Sequence, residues 1–99
     1  MKRVIVRYKV KTDRADENVA FVKKVFEELT ETQPSGLKYA TFRSADGVSF
    51  THIAEFDPQI GNPLSKTEAF RKFQENIQDR CVESPTADDV EIVGSYKFI

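Results

Sequence analysis

Leu37-Lys38-Tyr39-Ala40-Thr41-Phe42-Arg43-Ser44-Ala45-Asp46-Gly47-Val48-Ser49-Phe50-Thr51-His52-Ile53-Ala54-Glu55-Phe56 is the stretch that decides the architecture. In its first seven residues Leu37, Tyr39 and Thr41 fall on one side and Lys38, Ala40 and Phe42 on the other. Ser44-Ala45-Asp46-Gly47 is a turn signal. Beyond it, from about Val48, Phe50, His52, Ala54 and Phe56 face one way and Thr51, Ile53 and Glu55 the other. Two period-two runs joined by so short a connection predict an antiparallel hairpin.

Towards the N-terminus, residues 3–10 also alternate, with Val4, Val6, Tyr8 and Val10 on one face and Arg3, Ile5, Arg7 and Lys9 on the other. This predicts a first strand. Thr12 and Asp13 offer oxygens for a helix start, and Asp16 and Glu17 suit its dipole. Val19, Val22, Val25, Phe26 and Leu29 then recur at spacings of three and four, an amphipathic helix to about Thr32. Its Lys23, Lys24, Glu27 and Glu28 read as a solvated face. Gln33-Pro34-Ser35-Gly36 stops it.

Towards the C-terminus, residues 57–63 form a loop rich in turn formers. A second helix is predicted from about Ser65 to Cys81, with Ala69, Phe70, Phe73, Ile77 and Cys81 as its apolar stripe. Glu83 to Asp89 reads as a polar loop. A last strand is predicted from Val90 to Ile99, with Val90, Ile92, Gly94, Tyr96 and Phe98 on one face. The order strand, helix, hairpin, helix, strand makes an α+β, ferredoxin-like βαββαβ domain spanning residues 1–99. Right-handed crossovers give it one four-stranded antiparallel sheet with both helices on a single face.

Composition narrows the function classes. The chain has 99 residues, 39% hydrophobic and 31% charged, a globular balance for one domain. Its net charge of −1 offers no general attraction to nucleic acid or to an anionic membrane. An RNA-binding reading of the same topology fails further, because the third strand lacks the aromatic-glycine signature of such domains. Cys81 is the single cysteine, so no intrachain disulfide is available. No signal-peptide pattern or membrane-spanning run occurs, and the cytoplasm is the expected compartment. One histidine and one cysteine on different elements make no zinc ligand set. No phosphate-binding glycine loop is present, and no cofactor is expected.

If the aromatic faces lie under the helices, the other sheet face still carries Ile5, Ala40, Phe42, Ile53 and Val93 among charged neighbours. A sheet wetted on one side would alternate more cleanly. The expectation is that this face, with the terminal Tyr96-Lys97-Phe98-Ile99, pairs with a second copy of the chain.

The element order, the strand end Ile53-Ala54-Glu55-Phe56-Asp57 and the helix pattern Ala69-Phe70-Arg71-Lys72-Phe73 resemble the antibiotic biosynthesis monooxygenase-like domains of the dimeric α/β-barrel superfamily. That resemblance implies a homodimer whose sheets pack into a barrel, with a pocket between helices and sheet in each subunit. It also implies relatives that oxygenate phenolic substrates without a cofactor, and others that degrade haem. Many relatives carry a histidine near the start of the second helix, where this chain has Glu68-Ala69. The haem-degrading branch uses a tryptophan, and this sequence has none, which speaks against haem chemistry.

His52 is the only histidine, on the strand face assigned to the helix side, and can act as a base or orient a phenol. Tyr8, Tyr39 and Tyr96 fall on the same side by parity. Three phenols and an imidazole would supply the few convergent polar groups of a small-molecule site. The catalytic candidates are His52, Tyr8 and Tyr39. The candidate pocket lining is Phe26, Phe56, Phe70, Phe73 and Tyr96. Two functions fit: a monooxygenase-like enzyme acting on a small aromatic or polyketide-like molecule, or a non-catalytic homodimer that binds a small ligand or a protein.

Overall fold

The computed structural model describes residues 1–98. In chain order they form β1 (Lys2–Val10), α1 (Ala15–Thr32), β2 (Leu37–Arg43), β3 (Ser49–Phe56), α2 (Glu68–Glu75), α3 (Ile77–Arg80) and β4 (Cys81–Asp89). Short 3-10 turns, Thr12–Arg14 and Pro63–Lys66, lead into α1 and α2. All four strands pair antiparallel in the order β2-β3-β1-β4, the ferredoxin-like βαββαβ α+β fold.

The hairpin forms as the alternation predicts, from Leu37↔Phe56 to Arg43↔Phe50. Its turn is stapled by Asp46. That carboxylate accepts hydrogen bonds from the Ser49 hydroxyl at 2.6 Å and from the Val48 and Ser49 amides at 3.0 and 2.9 Å. These bonds, the Ser49 hydroxyl foremost, hold the acid down to about 2. Gly47 takes φ +80°, where a side chain would be strained.

The core lies on one face of the sheet. Tyr8 and Val10 of β1, Val22 and Val25 of α1, Phe50 of β3, Phe73 of α2 and Ile77 of α3 are buried in one cluster. Each such side chain contributes about 1.5–3 kcal/mol when taken fully out of water.

The two long helical segments are also joined electrostatically. Glu28 of α1 accepts from the amides of Glu68 and Ala69 at 3.2 and 2.9 Å, while the Thr67 hydroxyl accepts from the Phe70 amide at 3.2 Å. These are amides that a helix start leaves without partners, and the carboxylate also suits the dipole. Glu28 is therefore a cap delivered from another helix, not part of a solvated face. Glu28→Ala is expected to cost about 1 kcal/mol, read as a lower urea midpoint. An unchanged midpoint would show that water caps α2 equally well.

Three expectations are corrected. The helix predicted from Ser65 to Cys81 is a 3-10 turn, α2 and α3, broken at Asn76 (φ −122°), and Cys81 already belongs to a strand. The predicted loop at Glu83–Asp89 is most of β4, and residues 90–98 form no strand. Ile99 of that predicted strand lies outside the described residues. The polar composition misleads because β4 is an edge strand, where charges and a proline are tolerated. Its register slips between Arg7↔Thr86 and Lys9↔Glu83, so Ser84 and Pro85 lie opposite Tyr8 in a bulge. Pairing ends with the Val90 amide donating to the Arg3 carbonyl at 3.0 Å.

On the helix-free face Ile5 sits opposite Ile53, and Ala40 opposite Ile53 from the other side. All three are half-buried, and Phe42 is exposed. Val93 is not on this face, because it lies in the exposed segment after β4. Arg3 and Glu55 form an ion pair there, both largely shielded from water. Among the described residues, no helix is long and apolar enough to cross a membrane.

Candidate functional site

β2, β3 and β1 run side by side, so His52 has Thr41 on one flank and Val6 on the other. Tyr8 and Tyr39, each two residues along its strand, project on the same helix-side face. The structure brings their hydroxyls to the two ring nitrogens. Tyr8 Oη lies 2.8 Å from His52 Nε2, and Tyr39 Oη lies 2.5 Å from Nδ1, with Thr41 Oγ1 also 3.0 Å from Nδ1. Phe73 of α2 covers the imidazole at 5.4 Å between ring centroids.

Next to this cluster is a cavity of about 430 Å³ between the sheet and α2. Phe56, Phe70, Phe73 and Ile77 line it with apolar surface, and Tyr8, Tyr39 and His52 supply its polar wall. Lys2, Gln74 and Gln78, all exposed, add polar groups to its lining. The volume and the ratio of apolar to polar lining suit a small molecule.

Burial decides the protonation states. It pushes His52 down to about 4, because a charged imidazole would lose its hydration. It pushes the Tyr39 phenol up to about 12, against a smaller opposing effect of the Thr41 hydroxyl, and it raises Tyr8 further. At neutral pH the wall is therefore uncharged but fully hydrogen-bonded.

Of the sequence-predicted residues, His52, Tyr8, Tyr39, Phe56, Phe70 and Phe73 meet at this cavity. Phe26 does not line it. It stacks on Tyr39 at 5.0 Å and supports the wall from there. Tyr96 is a correction: it lies after β4, 83% exposed, because the strand that would have carried it to the face is formed by residues 81–89 instead.

Sequence reasoning missed Thr41, Asn18 and Arg80. Asn18 and Arg80 are each 0% exposed. Asn18 Nδ2 donates to Tyr8 Oη at 2.9 Å, and Arg80 Nε donates to Asn18 Oδ1 at 3.2 Å. Arg80 Nη2 donates to the Phe73 carbonyl at 2.7 Å, near the end of α2, where a cation is favoured. The guanidinium also lies over the rings of Phe21 and Phe73, at 4.6 and 5.3 Å. A signal existed: Asn18, Val22 and Val25, and likewise Phe73, Ile77 and Arg80, follow the helical spacing of four and three. A polar residue in an apolar stripe marks a buried polar contact.

Cys81 is half-buried and burial raises its thiol, which suits packing over reactivity. Among the described residues, no group of three or more histidine, cysteine, aspartate or glutamate side chains could hold a metal ion.

No family model matches this sequence, and no curated protein matches it. Solved structures do. The crystal structure of an antibiotic biosynthesis monooxygenase has a TM-score of 0.77 at 22% identity, covering 95% of this chain and 100% of its own. A proposed antibiotic biosynthesis monooxygenase from Nitrosomonas europaea gives 0.75 at 17% identity, over 93% of this chain and 89% of its own. Rv0793 from Mycobacterium tuberculosis gives 0.74 at 14% identity, over 95% and 96%. The chain thus has the ferredoxin-like fold of the antibiotic biosynthesis monooxygenase-like structures, with a Tyr8–His52–Tyr39 wall beside its helix–sheet cavity.

Proposed function

We propose that this chain, as a homodimer, takes a small aromatic or polyketide-like molecule into the His52 cavity and oxidises it as a cofactor-independent monooxygenase. The observation that carries the reading is the apolar cavity of about 430 Å³ with three hydrogen-bonded, uncharged polar groups along one wall. A flat ring system packs against Phe56, Phe70 and Phe73. Its oxygen is met by the Tyr39 hydroxyl, which His52 holds in place, and that hydrogen bond stabilises the enolate formed when an acidic ring CH₂ gives up a proton. Reaction of that CH₂ with O₂ yields a carbonyl and one water: two C–H bonds and the O–O bond break, and the carbon supplies all four electrons and both hydrogens.

Pairing of two copies is supported by the apolar residues of the helix-free face and by exposed Ile92, Val93, Tyr96 and Phe98 after β4. One observation favours binding without turnover: both ring nitrogens of His52 are already occupied and burial makes the imidazole a weak base.

Native mass spectrometry and oxygen uptake with anthrone as probe separate these readings. The expected result is a two-chain mass with one anthrone per chain. Oxygen uptake should fall about 10²-fold in His52→Gln. A liganded dimer without oxygen uptake would leave the binding module. A monomer that takes up no anthrone would overturn both.

A further inference from the structure

We infer that buried Arg80 sets the hydrogen-bond polarity of the cavity wall, so that Tyr39 offers its proton to the ligand and the cavity selects an acceptor oxygen. The ligand half of this inference rests on the cavity reading above; the polarity half does not.

The chain of bonds can run in one sense only. A guanidinium donates and never accepts. Arg80 Nε, 3.2 Å from Asn18 Oδ1, therefore orients the Asn18 amide with its oxygen towards Arg80 and its nitrogen towards Tyr8. Tyr8 Oη accepts from that nitrogen, so its own proton goes to its other side-chain partner, His52 Nε2, at 2.8 Å. A neutral imidazole carries one proton. With Nε2 accepting, that proton sits on Nδ1 and faces Tyr39 Oη and Thr41 Oγ1. Of these two oxygens Tyr39 Oη is the nearer, at 2.5 Å against 3.0 Å for Thr41, so the Nδ1 proton goes to Tyr39. Tyr39 Oη thus accepts from His52 and keeps its proton for the cavity that it lines. Arg80 and Asn18 touch no ligand; they are positioning residues. The favoured ligand presents a carbonyl, quinone or phenolate oxygen at this point, and one presenting only an N–H or O–H is disfavoured.

Asn18→Asp reverses the sense while keeping a partner for Arg80. A carboxylate accepts from Arg80 and also from Tyr8, so Tyr8 Oη must then accept from His52. The proton moves to Nε2, Nδ1 accepts from Tyr39, and Tyr39 is left as an acceptor. Because the chain has one histidine, ¹⁵N-histidine labelling reports a single imidazole. Its protonated and bare nitrogens resonate far apart.

The experiment records that spectrum for the ligand-free chain and for Asn18→Asp. It also measures binding of fluorenone (acceptor only) and carbazole (donor only), two tricyclic rings of similar shape. The expected result is an Nδ1–H tautomer that becomes Nε2–H in the variant. Fluorenone should bind about tenfold tighter than carbazole, with the order reversed in the variant. An Nε2–H tautomer in the unaltered chain, or no change in the variant, would overturn the polarity. The expected tautomers with equal affinities would overturn the selection. The expected tautomers with neither probe bound would sink the cavity reading and the selection with it, leaving the sense of the bonds from Asn18 to His52 established.

Discussion

Lowering the pH from 6.5 to 4 is expected to remove about 3 kcal/mol of stability through His52 alone. The unfolded chain protonates its histidine near 6.5, whereas burial holds the folded imidazole neutral until about 4. Between these values the unfolded state carries one more proton, so stability falls as pH falls, by up to about 1.4 kcal/mol per unit. Above 6.5 both states are neutral and below 4 both are charged, so the slope from this group vanishes at either end. The carboxylates of Asp46 and Glu17, both lowered by hydrogen bonds, add their own losses at the acid end. Urea unfolding at pH 7, 6, 5 and 4.5 measures the effect. His52→Gln, which keeps a donor and an acceptor but cannot protonate, should flatten the curve above pH 5. A wild-type chain equally stable at pH 7 and 4.5 would show that water reaches the imidazole.

Arg80→Met should destabilise the fold by about 2–4 kcal/mol, the largest effect expected of a single conservative truncation here. The methionine fills most of the volume. It leaves Asn18 Oδ1 and the Phe73 carbonyl without their donor and removes the cation from Phe21 and Phe73. Opposing this is the relief of burying a charge that has no carboxylate partner, and whose Nη1 has no hydrogen-bond partner among the described residues. The first contribution should win, because four favourable contacts are lost and a buried amide oxygen is orphaned. Asn18→Leu combined with Arg80→Met removes that orphan and should be less destabilised than the sum of the single variants by about 1–2 kcal/mol. Thermal unfolding checks it, at about 4–8 °C per kcal/mol for a chain of this size. An unchanged midpoint in Arg80→Met would mean that desolvation of the cation cancels its bonds.

Both predictions act on one connected set of side chains, which shows how the site is built. Arg80, Asn18, Tyr8, His52 and Tyr39 form one polar thread through an apolar core. Each unpartnered atom there is costly, so the thread stiffens the wall that a ligand would meet.

Much of the fold was legible in the residues. The alternation of Leu37–Phe56 around Asp46-Gly47, the alternation of residues 3–10 and the three-four spacing from Val19 to Leu29 each produced the expected element. Strand parity also placed Tyr8, Tyr39 and His52 on one face, because a period of two is a local property of the chain. The last strand was not legible. Cys81–Asp89 has the composition of a loop and pairs only because β1 offers a free edge, while Tyr96 and Phe98 have the composition of a strand and form none. Likewise Glu28 and Arg80 look like solvated charges in one dimension. Their partners, the start of α2 and Asn18 of α1, lie about 40 and 62 residues away in sequence. Local periodicity therefore determined which faces are apolar. Only the tertiary structure decided which edge is paired and which polar atoms are buried, because a hydrogen bond depends on a partner that folding alone brings near.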